Sequence, residues 1–280
     1  LGHNRQIRFY FEALRAAWGP QHWWPADSVF EVIVGAILTQ NTAWTNVEKA
    51  LRNLRDADAI SVDAIRRAPF ADLQKLVQPA GFFRQKATRL KRFVGWLDER
   101  YDGSLEKMFA EPTPKLRAEL LELNGIGPET ADSILLYAGQ HEVFVVDAYT
   151  RRVFERHGLV RPDAKYDEIR TMIEDAFRNP LGQSSLSAPP QPSRTMESGP
   201  VLAKETLIPT VHPPTKMSGT PRSLLAQNYN EFHALIVQVG KHYCLSREAR
   251  CEECPLGAYL TRAVAVSKSK GRRKRAKRKT

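Results

Sequence analysis

The chain has 280 residues, 42% hydrophobic and 26% charged, the balance of a globular protein with room for one large core or two smaller ones. No apolar run reaches the ~18 residues a membrane-spanning helix needs, and the opening Leu1-Gly2-His3-Asn4-Arg5 lacks the apolar core of a secretory signal. The net charge of +11 is concentrated: residues 268–280 carry nine Lys or Arg and no acid, which leaves +2 over the other 267, so phosphate attraction belongs to a basic tail more than to the fold.

Apolar spacing is helical almost throughout, and an all-α fold is expected. Trp23-Trp24-Pro25-Ala26 precedes residues 29–38 (VFEVIVGAIL), which are apolar nearly all round and predict a helix buried at the centre of a bundle. Leu38-Thr39-Gln40-Asn41-Thr42 and Trp44 follow. Beyond Gly81-Phe82-Phe83-Arg84-Gln85-Lys86-Ala87, the residues Leu90, Phe93, Val94, Leu97 and Tyr101 recur at three- and four-residue steps, a helix that Asp102-Gly103 ends.

Residues 115–138 (KLRAELLELNGIGPETADSILLYA) predict a helical hairpin. Leu116, Leu120, Leu121 and Leu123 form one apolar face, which stops at Asn124. Gly125-Ile126-Gly127 makes a tight turn in which glycines permit left-handed angles, and Pro128 starts a second helix where its missing amide costs nothing. Ala131, Ile134, Leu135 and Ala138 supply that helix's packing face, and Ile126 at the tip is expected to anchor the turn in the core. Close backbone approach and outward amides at the second helix start make an anion site suited to a DNA phosphate.

The run VFVV at 143–146 is too short to found a sheet. Asp147 then stands before a predicted helix over 148–157 that Gly158 ends, a sound N-cap position in which a carboxylate is held rigidly. Residues 180–221 hold nine of the chain's 18 prolines with little periodicity, so 180–222 is expected to be a disordered insertion. Leu224, Leu225, Tyr229, Phe232, Leu235, Ile236 and Val239 mark a last helix. It leads into the chain's three cysteines, Cys244, Cys251 and Cys254, a number and placement that argue for a reducing compartment and against a disulfide scaffold.

Leu123, Gly125, Ile126, Gly127, Thr130 and Ala131 of the hairpin, with Val146-Asp147 after it, resemble the helix-hairpin-helix (HhH-GPD) DNA glycosylases of the endonuclease III superfamily, over about residues 28–178 and again over 223–260. The resemblance implies a two-lobed helical fold, with residues 28–144 as one lobe and 1–27, 145–179 and 223–262 as the other, the basic tail being 263–280. It also implies that Asp147 is catalytic, stabilising an oxocarbenium-like sugar and orienting or activating a water. The hairpin residues Gly125, Ile126, Gly127, Glu129 and Thr130 would bind DNA. Bifunctional members of the family carry a lysine two positions after the second hairpin glycine, where its amine forms a Schiff base with the sugar. This chain has Glu129 there. A carboxylate forms no imine, so a monofunctional enzyme is implied, Lys241 being a minor alternative source of an amine.

Within the family the likeness is to the endonuclease III-like 3-methyladenine glycosylases, carried by the Trp23–Ala26 segment, Phe30-Glu31, Leu38–Thr42 and Trp44. By that likeness Trp23, Trp24 and Trp44 line a pocket for a flipped base, and flat aromatic walls do suit a cationic alkylated purine; the alternative is that they are core aromatics. Gln40 corresponds to the residue that fills the gap left by the flipped nucleotide. Phe82 corresponds to the wedge on the opposite strand, with Arg84 and Lys86 placed to touch phosphates.

Cys244, Cys251 and Cys254 match three ligands of the family's [4Fe–4S] cluster, but the fourth position is Leu260. No cluster is expected, a cluster with an open site or one completed by His242 being the alternative. The expected partner is double-stranded DNA with a damaged base, bound by a monomer without membrane attachment, in a bacterial cytoplasm or nucleoid or a eukaryotic nucleus. An endonuclease III-type or uracil/thymine mismatch glycosylase is the alternative activity. A non-catalytic module that binds DNA through the hairpin alone is the alternative of another class.

Overall fold

The computed structural model describes residues 2–178, 216–217 and 221–260. The basic tail and nearly all of the proline-rich insertion therefore lie outside the described residues. Every regular element within them is helical, and an isolated bridge between Cys244 and Ala249 is the sole β pairing among the described residues. The expected all-α fold is what the chain adopts. The run Val143–Val146 is buried without joining a sheet.

The chain divides into two compact units. The first takes residues 1–21, 146–211 and 231–280. It contains α1 (His3–Trp18), α10 (Ala148–Arg156), α11 (Tyr166–Arg178) and the larger part of α12 (Leu224–His242). Ile7, Tyr10, Phe11 and Leu14, spaced at three and four residues, give α1 a single buried face. Phe11 meets Phe177 of α11 edge-on at 5.3 Å and Phe232 of α12 at 5.8 Å, so three helices share one aromatic core. Gly240 lets α10 press against α12, since a Cβ there would strike the Tyr149 ring.

The second unit takes residues 22–145 and 212–230. Its axis is α2 (Val29–Leu38), buried from Phe30 to Leu38 and capped by the Ser28 hydroxyl, which accepts from the Glu31 N–H at 3.1 Å. Glu31, buried within this apolar helix, is paired with Arg55 of α3 (Trp44–Asp56). Two short helices, α4 (Val62–Arg67) and α5 (Phe70–Val77), and a 3₁₀ turn (Gln78–Ala80) lead to α6 (Phe83–Tyr101). Past α7 (Leu105–Phe109) come the hairpin helices α8 (Thr113–Glu122) and α9 (Pro128–Ser133), the latter widening into a π turn at Ile134–Ala138. Met217, near the far end of the expected insertion, is buried in this unit and donates its N–H to Ala26 O at 3.3 Å.

Candidate active site

Asp147 caps α10 as the sequence predicts: Oδ1 accepts the Thr150 N–H at 2.7 Å. The preceding residue is fixed as well, because the Val146 N–H donates to the Tyr166 hydroxyl at 3.2 Å. Oδ2 lies 3.6 Å from Nε2 of His233 on α12. Burial works against a charge on Asp147, but the His233 imidazole and the Thr150 N–H outweigh it and hold the carboxyl below the usual carboxylate range. The group is thus an anion at neutral pH, rigidly held and 13% exposed. His233 was not singled out from sequence. Its one signal is a buried polar residue inside the apolar run of α12.

In the second unit the hairpin is built much as its residues imply. Ile126 is buried and its N–H donates to Leu123 O at 2.9 Å, which closes the turn. Gly125 has φ +95°, and a Cβ there would collide with the Arg89 side chain of α6. Gly127 departs from expectation: at φ −94° it needs no glycine for its backbone, because one left-handed residue suffices to reverse the chain. A Cβ on Gly127 would meet nothing, so its exposed peptide face stays open to an approaching anion. The two hairpin helices are clamped by Arg117 of α8, whose Nε and Nη2 donate to Oδ1 and Oδ2 of the buried Asp132 at 2.7 and 3.1 Å. Glu129 is exposed in the first turn of α9, where an acid suits the helix dipole.

The segments expected to open the duplex are placed differently from one another. Phe82 stands 62% exposed on a left-handed backbone at φ +44°, with Arg84 exposed beside it. Lys86 does not touch phosphate. It is wholly buried, and Nζ donates to Leu38 O at 2.8 Å and Ala80 O at 2.6 Å, because four residues before Leu90 puts it on the inner face of α6. Gln40 uses its carboxamide internally. Nε2 donates to Gly125 O at 2.8 Å and to Thr130 Oγ1 at 2.9 Å, and Oε1 accepts from Arg89. Thr130, expected to face DNA, is therefore buried behind the turn as an acceptor for Gln40.

The three tryptophans come together in this unit. Trp24 meets Trp44 edge-on at 5.1 Å and Trp23 at 5.4 Å, and its other side lies 4.9 Å from Tyr137. Trp23 and Trp24 are buried, whereas Trp44 is half-exposed and donates its Nε1–H to Glu48 Oε1 at 2.9 Å. Gly35 of α2 leaves room for the Trp24 ring, which a Cβ would approach at 3.4 Å. Tyr137, inside the apolar run ILLYA, is a member of this cluster that its sequence context hides.

Cys244, Cys251, Cys254 and Leu260 line one cavity of the first unit. Among the described residues no group of three or more His, Cys, Asp or Glu is arranged to hold a metal ion. With an apolar side chain at the fourth position, these residues do not fit the four-thiolate cluster the family resemblance implies. Two arginines of α10 hold the loop instead. Arg152 donates from Nε to Cys244 O at 2.6 Å and from Nη2 to Gly240 O at 3.0 Å. Arg156 Nη1 donates to Leu245 O at 2.6 Å and to the Cys244 sulfur at 3.3 Å, and its Nη2 donates to Ser246 O at 2.9 Å.

A capped, ionised aspartate thus stands 20 residues beyond a glycine-turned hairpin, and comparison with known proteins gives the family. The model of the HhH-GPD superfamily of base excision DNA repair proteins matches residues 34–179. A Methanocaldococcus jannaschii protein, named provisionally as a DNA repair glycosylase, is 39% identical over 248 residues, 88% of this chain and 91% of that one. The H. pylori 3-methyladenine DNA glycosylase MagIII, solved bound to 1,N6-ethenoadenine, is 31% identical with a TM-score of 0.62, covering 86% of this chain and 98% of that one. An endonuclease III–DNA complex shares the fold at a TM-score of 0.65 and 17% identity, covering 95% of this chain and 98% of that one. The chain belongs to the HhH-GPD superfamily, as a base-excision repair DNA glycosylase.

Proposed function

We propose that this glycosylase is monofunctional and removes alkylated purines from duplex DNA, leaving an abasic site. The observation that carries the proposal is the pairing of an Asp147 held in its ionised form with Glu129 in place of the hairpin lysine. An anion supports positive charge on the sugar as the C1′–N bond breaks and the bonding electrons leave with the base. A base that is already cationic departs as a neutral molecule and needs no general acid. Water oxygen then bonds to C1′, and its proton passes to solvent, since a carboxylate of low pKa is a weak base. Asp147 accordingly serves through charge more than through proton abstraction. Lys241 is poorly placed to supply the missing amine, eight residues and ~12 Å along α12 from His233.

Alkylated purine is favoured by the half-exposed Trp44 at the edge of the Trp23, Trp24 and Tyr137 cluster, since an aromatic π face attracts a cationic ring. The likeness to the H. pylori enzyme, whose bound ligand is an etheno-adduct of adenine, points the same way. The proposed partner is double-stranded DNA, gripped by the hairpin amides in the protein's monomeric form, wherever the cell keeps its chromosome.

The test is a panel of duplexes bearing single lesions (3-methyladenine, ethenoadenine, uracil, thymine glycol), scored with and without hot alkali. Breaks that need alkali on the alkylated-purine duplexes support the proposal. Covalent trapping by borohydride would overturn the monofunctional assignment, and excision confined to pyrimidines would overturn the substrate. Asp147→Asn keeps the Thr150 cap and should lower excision by about a thousandfold while duplex affinity changes less than about threefold.

A further inference from the structure

Met217 is only 6% exposed, although it lies outside the residues that carry the family resemblance. Its place is near the end of a polar, proline-rich stretch whose composition argues against burial. Yet its N–H donates to Ala26 O at 3.3 Å, and its own carbonyl accepts from Arg222 Nη2 at 3.5 Å. Ala26 is wholly buried and ends the segment Trp23-Trp24-Pro25-Ala26, which supplies two members of the tryptophan cluster. On the other flank of Ala26, the Asp27 N–H donates to Glu31 Oε2 of α2 at 3.4 Å. The Trp24 ring is already confined by Gly35 and Tyr137, which leaves the backbone of its own segment as the adjustable part. Met217 holds that backbone through a side chain outside the family pattern.

We propose that Met217 is a positioning residue for base choice: it braces the Trp23–Ala26 segment and so sets how large an alkyl adduct the aromatic cluster accepts. The proposal deepens the alkylated-purine function above and rests on it. A flipped base is held by aromatic side chains whose spacing must match its outline. A shift of Ala26 is carried to Trp24, two residues away, and from there to its edge-on contacts with Trp23 at 5.4 Å and Trp44 at 5.1 Å. Met217 therefore acts on the base through Ala26 and Trp24, without touching it. Methionine suits such a brace, since its unbranched thioether fills irregular space and packs well beside aromatic rings. Truncating it to alanine removes the support without introducing a charge or a hydrogen bond. The loosened cluster should then take wider adducts, while a base with a single added methyl group gains nothing from the room.

The test compares lesions of different size on the full chain. Single-turnover excision from 3-methyladenine and 1,N6-ethenoadenine duplexes is measured for the parent, Met217→Ala and Met217→Leu. With Met217→Ala the ratio of the ethenoadenine rate to the 3-methyladenine rate should rise about tenfold. Met217→Leu, of similar volume, should stay within about twofold of the parent. A merely structural methionine would lower both rates in step with the melting temperature, so an unchanged or falling ratio overturns the proposal. Should Met217→Ala not fold, Met217→Val removes less of the side chain and should raise the ratio about threefold; an unchanged ratio there overturns the proposal equally. If the parent excises neither lesion, the substrate assigned above is at fault, and quenching of tryptophan fluorescence by free 1,N6-ethenoadenine and free 3-methyladenine takes the place of excision. A relative gain for ethenoadenine in Met217→Ala supports the brace, and an unchanged ratio, or no quenching by either base, overturns it.

Discussion

His233 Nε2 lies 3.6 Å from Asp147 Oδ2, an imidazole on α12 facing the carboxylate that caps α10. With side chains only 5% and 13% exposed, the two groups interact with little screening by water. A carboxylate whose task is to face a developing cation must stay ionised despite burial, and His233 together with the Thr150 N–H keeps it so.

Replacing His233 with leucine should let the Asp147 pKa rise. The acid limb of kcat/KM for excision should then move to higher pH. An acid limb that stays put would remove His233 from any part in the ionisation. The sign for stability follows from the same shift. A carboxyl with its folded pKa below its unfolded one contributes stability above the unfolded pKa and loses it as pH falls through the folded value. His233→Leu should therefore melt with a weaker dependence on pH across the acid range.

Gln40 joins the end of α2 to both sides of the hairpin turn, so Gln40→Ala should loosen the grip on phosphate and leave lesion choice intact. Two hydrogen bonds to Gly125 O and Thr130 Oγ1 and the acceptor for Arg89 are lost together, each worth ~1 kcal/mol. Affinity measured by anisotropy should fall about tenfold for damaged and undamaged duplex alike. A loss confined to the damaged duplex would instead return Gln40 to the role of gap filler.

Lys86 gives a pH dependence of the same sense as that of Asp147, in a higher pH window. Its pKa is lowered from 10.5 to about 8 on folding, so the unfolded chain binds the additional proton between those values. Stability should rise with pH across that window, by at most a few kcal/mol, as the buried charge is relieved. Thermal unfolding between about pH 7.5 and about pH 10 should show the rise in the parent and lose it in Lys86→Met. Parallel curves for the two proteins would mean that folding does not lower the Lys86 pKa and that its ammonium persists in the native state across the window.

Much of this was legible in sequence because it is local. The cap at Asp147, the left-handed Gly125, Pro128 at a helix start and the buried run of α2 each depend on a few neighbouring residues. What escaped depends on partners distant in the chain: His233 is 86 residues from Asp147, and Gln40 is 85 from Gly125. Lys86 lies between these cases. Its place in the loop of the Phe82 wedge suggested a phosphate contact, yet it precedes Leu90 by four and Phe93 by seven residues, and the helical period already placed it on the inner face of α6. Helix phase was the better guide, and residue type the worse one.

The cysteine loop offers a case in which motif and packing disagree. Its spacing matches three cluster ligands, but Leu260 shares their cavity and the Arg152 and Arg156 guanidiniums take up the carbonyls of Gly240, Cys244, Leu245 and Ser246. If these arginines hold the loop, then the fold should not depend on iron. Purified full-length protein should show no visible iron–sulfur absorbance, and a chelator should leave its melting temperature unchanged. Arg156→Leu should lower stability by about 2 kcal/mol, because it removes charged donors from the Leu245 and Ser246 carbonyls. A brown protein that a chelator destabilises would show that three thiolates suffice for a cluster here, and that the arginines merely brace a loop already fixed by metal.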